Sequence, residues 1–224
     1  MRAQNSKIFV GKPHELPQTA KLFYQGARRY EKKDYATAVA LFRQAAKEGH
    51  AGAQFLLSDC YYNGLGVKEN FKQAFYWMKK AAEQGDEIAQ TRVGSMYELG
   101  EGVPENDRLS AHWYKRAAKQ GVAHAQWHVG LCYEYGKGVD PSERRALSWY
   151  RKAALAGNEG AQYSLASAYY FGVGDILKKD ESTALFWYEK VAENEAADEV
   201  RKAFATSIVD RLKKAGCTPR KSKS

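Results

Sequence analysis

Residues 123–158 read AHAQWHVGLCYEYGKGVDPSERRALSWYRKAALAGN, and this stretch recurs along the chain in steps of 36 residues. Its Ala-Gln appears as Ala53-Gln54, Ala89-Gln90, Ala125-Gln126 and Ala161-Gln162. Its first-half tyrosine appears as Tyr61, Tyr97, Tyr133 and Tyr169. The glycine pairs Gly64/Gly66, Gly100/Gly102, Gly136/Gly138 and Gly172/Gly174 keep the same step. So do Trp77, Trp113 and Trp149, with Trp187 two residues late. Ala81-Ala82, Ala117-Ala118 and Ala153-Ala154 close the units ahead of Gly85, Gly121 and Gly157.

Each unit reads as two antiparallel helices. In the first, Ala53, Leu57 and Tyr61 fall at i, i+4 and i+8, which makes one apolar face. Small residues beside it (Ser58, Gly94, Gly130, Ala166) let a neighbouring helix approach closely. Gly-x-Gly ends this helix, because glycine takes a positive φ cheaply at a C-cap and in a turn. Asn70, Asn106, Ser142 and Asp180 stand where the second helix starts, and all are good N-caps. Ala74, Trp77-Met78, Ala81 and Ala82 predict the buried stripe of that helix, which Gly85 and its equivalents terminate. The fourth unit departs from the pattern, with two extra residues in 175–179 and Asn194-Glu195-Ala196 in place of the closing glycine. Downstream, 197–215 reads as one amphipathic helix with Val200, Phe204, Ile208 and Leu212 at i+4 spacing, expected to cover the last repeat's apolar face.

This pattern resembles the Sel-1-like repeat family, relatives of the tetratricopeptide repeat. The family motif runs roughly A-x-A-x-x-x-L-G-x-x-Y-x-x-G-x-G-V, a short linker, then A-x-x-W-Y-x-K-A-A-x-x-G. The third unit carries Ala123, Ala125, Val129-Gly130, Tyr133, Gly136, Gly138-Val139, Ala146, Trp149-Tyr150, Lys152-Ala153-Ala154 and Gly157. The resemblance implies an all-α, right-handed α/α solenoid of tetratricopeptide/Sel-1-like helix pairs with a C-terminal capping helix. The divisions expected are an N-terminal extension (1–19), a tetratricopeptide-like pair (20–50), repeats at 51–86, 87–122, 123–158 and 159–196, a capping helix (197–216) and a basic tail (217–224). It also implies a non-enzymatic scaffold or adaptor of bacterial type, with the first helices lining a concave face that binds another protein or peptide. A secreted effector, or an immunity-type inhibitor that binds an enzyme, is the alternative. The family's cysteine-rich, secreted branch has paired cysteines, which this chain lacks.

Charge narrows the choice of partner. The net charge is +9, but it sits at the ends. Residues 1–50 hold ten Lys/Arg against four Asp/Glu, and 195–224 hold eight against four. The 51–194 span is nearly neutral, with 17 against 18. A nucleic-acid-binding solenoid needs a basic stripe along its working surface, so no nucleic acid is expected. Cys60 and Cys132 occupy one place two repeats apart, too far for a disulfide, and Cys217 is alone. Free thiols and a reducing, cytoplasmic compartment are therefore expected, though export by a non-classical route and a trimmed mature form stay open. No apolar run reaches a membrane span, and a monomer is expected.

Chemistry-bearing residues are few. The repeated Gly-x-Gly follows no strand and reads as a turn, not a phosphate cradle. His124 and His128 share a face at i, i+4 spacing, but neighbouring units offer Ile88, Arg92, Gly160 and Ser164 there, so neither a metal nor any other cofactor is expected. Glu98 and Glu134 stand at matching places on adjacent first helices, a spacing compatible with glycoside hydrolysis. Solvated surface carboxylates are the expected reading, which leaves no catalytic residue and a sugar- or wall-directed hydrolase only as the remote alternative. The first helices carry a second stripe that does not recur, as a recognition surface on a fixed scaffold would. Its candidate partner-binding residues are Asp59, Tyr62, Arg92, Glu98, Trp127, His128, Leu131, Glu134, Tyr135, Tyr163, Tyr170 and Phe171. At one of its places Phe55, Trp127 and Tyr163 serve equally well as packing between neighbouring first helices.

Overall fold

The computed structural model describes residues 16–195 and 197–220. Most of the expected N-terminal extension (1–15), Ala196 and the end of the basic tail (221–224) lie outside the described residues. The described helices run α1 Gln18–Glu31, α2 Tyr35–Lys47, α3 Ala51–Asn63, α4 Phe71–Glu83, α5 Glu87–Leu99, α6 Asp107–Lys119, α7 Ala123–Tyr135, α8 Glu143–Leu155, α9 Glu159–Phe171, α10 Glu181–Glu193 and α11 Glu199–Lys214. Extended pairing among the described residues is limited to one isolated bridge, Val173 to Leu177, inside the longer turn of the fourth unit. The fold is an all-α repeat. No helix among the described residues is long and apolar enough to cross a membrane.

The chain divides into two compact units, 1–89 with 101–103 and 90–100 with 104–224, and the division falls inside α5. The first unit is built on Leu22, Val39, Phe42, Ala45, Ala53, Leu57 and Cys60. In the second, one core joins Tyr114, Ala117, Ala125 and Val129, and another joins Leu165, Tyr169, Leu185, Trp187, Tyr188 and Val191 to α11.

Local chemistry sets the helix ends. Asn70, Asn106, Ser142 and Asp180 each accept a hydrogen bond from the backbone N–H three residues on, as N-caps do. The first helices have caps too, which the sequence reading did not find: His50 Nδ1, Asp86 and Asn158 accept from Ala53, Ala89 and Ala161. Burial lowers the His50 pKa and keeps that nitrogen an acceptor. Gly136 ends α7 at φ 69°, and Gly138, at φ 68°, does more than turn the chain. A Cβ on Gly138 would lie well under 3.0 Å from the Asp107 carbonyl, backbone that opens α6. Gly66 stands in the same way against Tyr35, and Gly102 against Phe71.

The recurrent Ala-Gln is a tie between helices. Gln54, Gln126 and Gln162 are buried and donate to the carbonyls of Ala46, Ala118 and Ala154, near the end of the preceding second helix. The other end of the amide accepts from the close of its own unit: Gln84 to Gln54 at 2.7 Å, Gln120 to Gln90 at 2.9 Å and Asn194 to Gln162 at 3.2 Å. In the third unit Ala156 stands where Gln84 and Gln120 stand in theirs, and Gln126 Oε1 is buried without a partner.

Two expectations about packing change. In the second helices Trp113 and Trp187 are buried while Trp77 and Trp149 are only half-buried; the next residue, Met78, Tyr114, Tyr150 or Tyr188, is buried in every unit. In α11 the buried face is Ala205, Ile208, Val209 and Leu212, whereas Val200 is 79% exposed and Phe204 40%. A strict i+4 row drifts by about 40° at each step on a helix of 3.6 residues per turn, so Val200 and Leu212 cannot share one seat. The mixed i+3/i+4 row can.

Candidate functional site

The site is built on a glycine. Gly130 on α7 has no Cβ, so the Tyr150 ring of α8 comes up against α7 at this point; a methyl there would overlap the ring. One turn further along α7, Glu134 Oε2 accepts a hydrogen bond from the Tyr150 hydroxyl. The same triad stands one repeat earlier, with Tyr114 over Gly94 donating to Glu98 Oε2 at 2.8 Å. Burial first, and then the bonded carboxylate, push both tyrosine pKa values well above the usual phenol range. Glu98 and Glu134, weighed above as a solvated pair, are thus each fixed within their own repeat.

Beside Tyr150 opens a cleft of about 390 Å³ between α7, α8 and α9. Leu131, Glu134 and Tyr135 line it from α7, Tyr163 and Phe171 from α9. Five of the twelve stripe residues therefore meet in one place. The sequence reading missed the remaining lining: Glu143, Ala146 and Leu147 of α8, Ser164, Ser167 and Ala168 of α9, and Gly172 and Val173 of the turn. Glu143 lies on a second helix and the serines are small, so no pattern along the first helices singles them out.

Three large apolar side chains stay in water at the same place on successive first helices. Leu99 is 60% exposed, Tyr135 66% and Phe171 65%. They end α5, α7 and α9 at 36-residue intervals, and the last two flank the cleft.

The other stripe residues are engaged within the protein or lie elsewhere. Trp127 is half-buried over Gly160, with the Arg201 guanidinium 5.8 Å from its ring. Tyr163 meets Phe204 at 6.0 Å, and Tyr170 lies 5.0 Å from the Arg211 guanidinium, so α11 covers part of both. His128 stacks on Tyr114 at 4.4 Å, with Nδ1 3.5 Å from Glu98 and its ring 4.6 Å from His124. Burial, followed by His124 and Lys137, lowers the His128 pKa to about 3, so its contact with Glu98 is not an ion pair at neutral pH. Among the described residues no three His, Cys, Asp or Glu side chains cluster as metal ligands. Arg92 is exposed. Asp59 and Tyr62 belong to the first unit: Asp59 accepts from Tyr30 at 2.9 Å, and Tyr62 donates to Glu101 at 2.9 Å. Cys60 and Cys132 are buried, and burial raises their thiols to about 12 and about 11.

A family model described as Sel1 repeat matches residues 18–50, 51–86, 88–122, 123–158 and 160–195. Among solved structures the chain is similar to a Sel1 repeat protein from Oxalobacter formigenes. The two are 32% identical over 88% of this chain and 77% of that one, with a TM-score of 0.74. It is also similar to a protective antigen with an SLR fold present in uropathogenic Escherichia coli strains. There the identity is 31%, covering 87% of this chain and 50% of that one, with a TM-score of 0.58. No curated protein matches the chain.

Proposed function

The chain belongs to the Sel1 repeat family, whose repeats generally mediate protein–protein interaction, and we propose that it is a non-enzymatic scaffold holding a partner protein or peptide at the α7–α9 cleft. The observation that carries this reading is the exposed row Leu99, Tyr135 and Phe171. The fold gains little from three large apolar side chains left in water, and such a row beside a cleft is the usual mark of a contact surface. Aromatic anchors dominate interface energy once water is excluded around them. Tyr163 both lines the cleft and meets Phe204 of α11, while Trp127 and Tyr170 stand beside the arginines of that helix.

The test pairs capture with affinity. Immobilised wild-type chain and a Tyr135→Ser/Phe171→Ser variant are exposed to the same extract, and captured proteins are compared by quantitative mass spectrometry. A partner held by the wild type is expected to be lost from the variant. With that partner purified, each single truncation is expected to weaken binding by about 1–3 kcal/mol. Partner affinity unchanged in a folded double variant would place the interface elsewhere.

A further inference from the structure

The charge inside the cleft narrows the chemistry of what it binds. Among the described residues Glu134 and Glu143 are the charged members of its lining and no Lys or Arg joins them, although 51–194 as a whole holds nearly equal numbers of both signs. Tyr150 occupies one oxygen of Glu134; among the described residues, Glu134 Oε1 and both oxygens of Glu143 carry no hydrogen bond or ion pair. Glu143 opens α8, where a carboxylate also favours the helix dipole. That accounts for an acid at the position; Arg144 and Arg145 follow it on α8, but neither belongs to the cleft lining. The rest of the wall is apolar or hydroxyl-bearing, with Leu131, Tyr135, Leu147 and Phe171 as its large members.

Resting on the scaffold reading above, we infer that the cleft takes a peptide segment of the partner in which a large apolar side chain is followed within two residues by Lys or Arg. The apolar side chain enters between Tyr135 and Phe171, and the cation meets the unengaged oxygens of Glu134 and Glu143. The pairing supplies what the cleft lacks, because both carboxylates lose water when a partner covers them and need a positive charge in exchange. An acidic segment would place like charges together in the same enclosure.

The experiment uses the full chain and phage-displayed random heptapeptides, followed by fluorescence anisotropy on individual selected peptides. The expected consensus is an aromatic or aliphatic residue followed by Arg or Lys. Replacing that cation by Gln should weaken binding about three- to fivefold, as for a partly exposed ion pair. The cation preference should disappear in Glu134→Gln/Glu143→Gln and shrink in Glu143→Gln alone. The single variant leaves the Tyr150 bond untouched and guards against a folding defect. Peptides that need Phe171 but show no cation preference would overturn the inference and leave the scaffold reading standing. Peptides indifferent to Tyr135→Ser/Phe171→Ser would overturn both this inference and the placement of the site. A selection that enriches nothing above background overturns the inference as well.

Discussion

Replacing Gly138 by alanine tests whether the second glycine of each Gly-x-Gly is set by conformation or by space. Two costs are separable within this one molecule. Gly157 sits at φ 85° with nothing within 4 Å of the Cβ it lacks, so Gly157→Ala reports the left-handed backbone alone. That cost is about 1–2 kcal/mol for an L residue. Gly138 has the same kind of φ, 68°, but its Cβ would also press on the Asp107 carbonyl and the Arg108 amide. Those atoms belong to the first turn of α6 and cannot rotate away. Overpacking of this sort adds about 1–3 kcal/mol. Gly138→Ala should therefore destabilise by roughly 2–5 kcal/mol in total. At about 2–4 °C per kcal/mol for a chain of this size, the two variants should melt on the order of 5 °C apart. Urea titration followed by tryptophan fluorescence, with calorimetry alongside, gives both midpoints. The slopes must be compared, because repeat arrays can lose two-state behaviour. Gly66→Ala and Gly102→Ala should follow Gly138→Ala, while Gly174→Ala should follow Gly157→Ala, since Gly174 also meets nothing. Equal losses for Gly138→Ala and Gly157→Ala would show that the close approach to α6 does not select the glycine.

Ala156→Gln should stabilise the protein by about 0.5–1.5 kcal/mol, because it gives the buried Gln126 Oε1 the donor that Gln84 and Gln120 provide in their units. An unchanged or lower urea midpoint would mean that the missing tie costs nothing. Acidification should weaken the fold through His128, whose pKa falls from 6.5 to about 3 on folding. Its contribution is complete above pH 6.5 and declines as pH falls toward 3, because the unfolded chain takes up the proton first. By pH 5, one and a half units below the unfolded value, the loss should be roughly 2 kcal/mol. His50 and His124 are lowered by burial in the same sense, so the informative measurement is the change in slope between wild type and His128→Gln. Identical slopes from pH 7 to 5 would refute this role for His128.

What could be read from the sequence was local and periodic. Asn70, Asn106, Ser142 and Asp180 cap their helices because a short oxygen-bearing side chain reaches the free N–H groups without help from elsewhere. The caps of the first helices escaped notice because His50, Asp86, Val122 and Asn158 share a place but not a chemistry. The bonds from Tyr114 to Glu98 and from Tyr150 to Glu134 left a trace that was there to read. Gly, Glu and Tyr keep one spacing in both repeats, and among the described residues only these two glycines face a tyrosine ring. The capture of Tyr163 and Tyr170 by Phe204 and Arg211 left none, because the facing of α11 depends on helix drift and not on a repeated motif. The cleft draws on three helices and a turn, so a stripe along the first helices found only part of it.

The two sides of the C-terminal helix differ in what they could meet. One side of α11 seats Ala205, Ile208, Val209 and Leu212 on the last repeat, while Glu199, Thr206, Ser207, Asp210 and Lys214 stand in solvent. A further repeat attached after Lys214 would bring the apolar face of a new first helix against that charged and hydroxyl-bearing side, and would find no seat. A duplicate of residues 123–158 placed after Asn158 would keep the Ala-Gln tie and the Gly-x-Gly seat, but it would bring His124 to the place of Gly160, against the Trp127 ring. The side of α11 turned away from the last repeat thus carries the chemistry of a surface in water, unlike the glycine- and alanine-lined faces that the repeats present to one another.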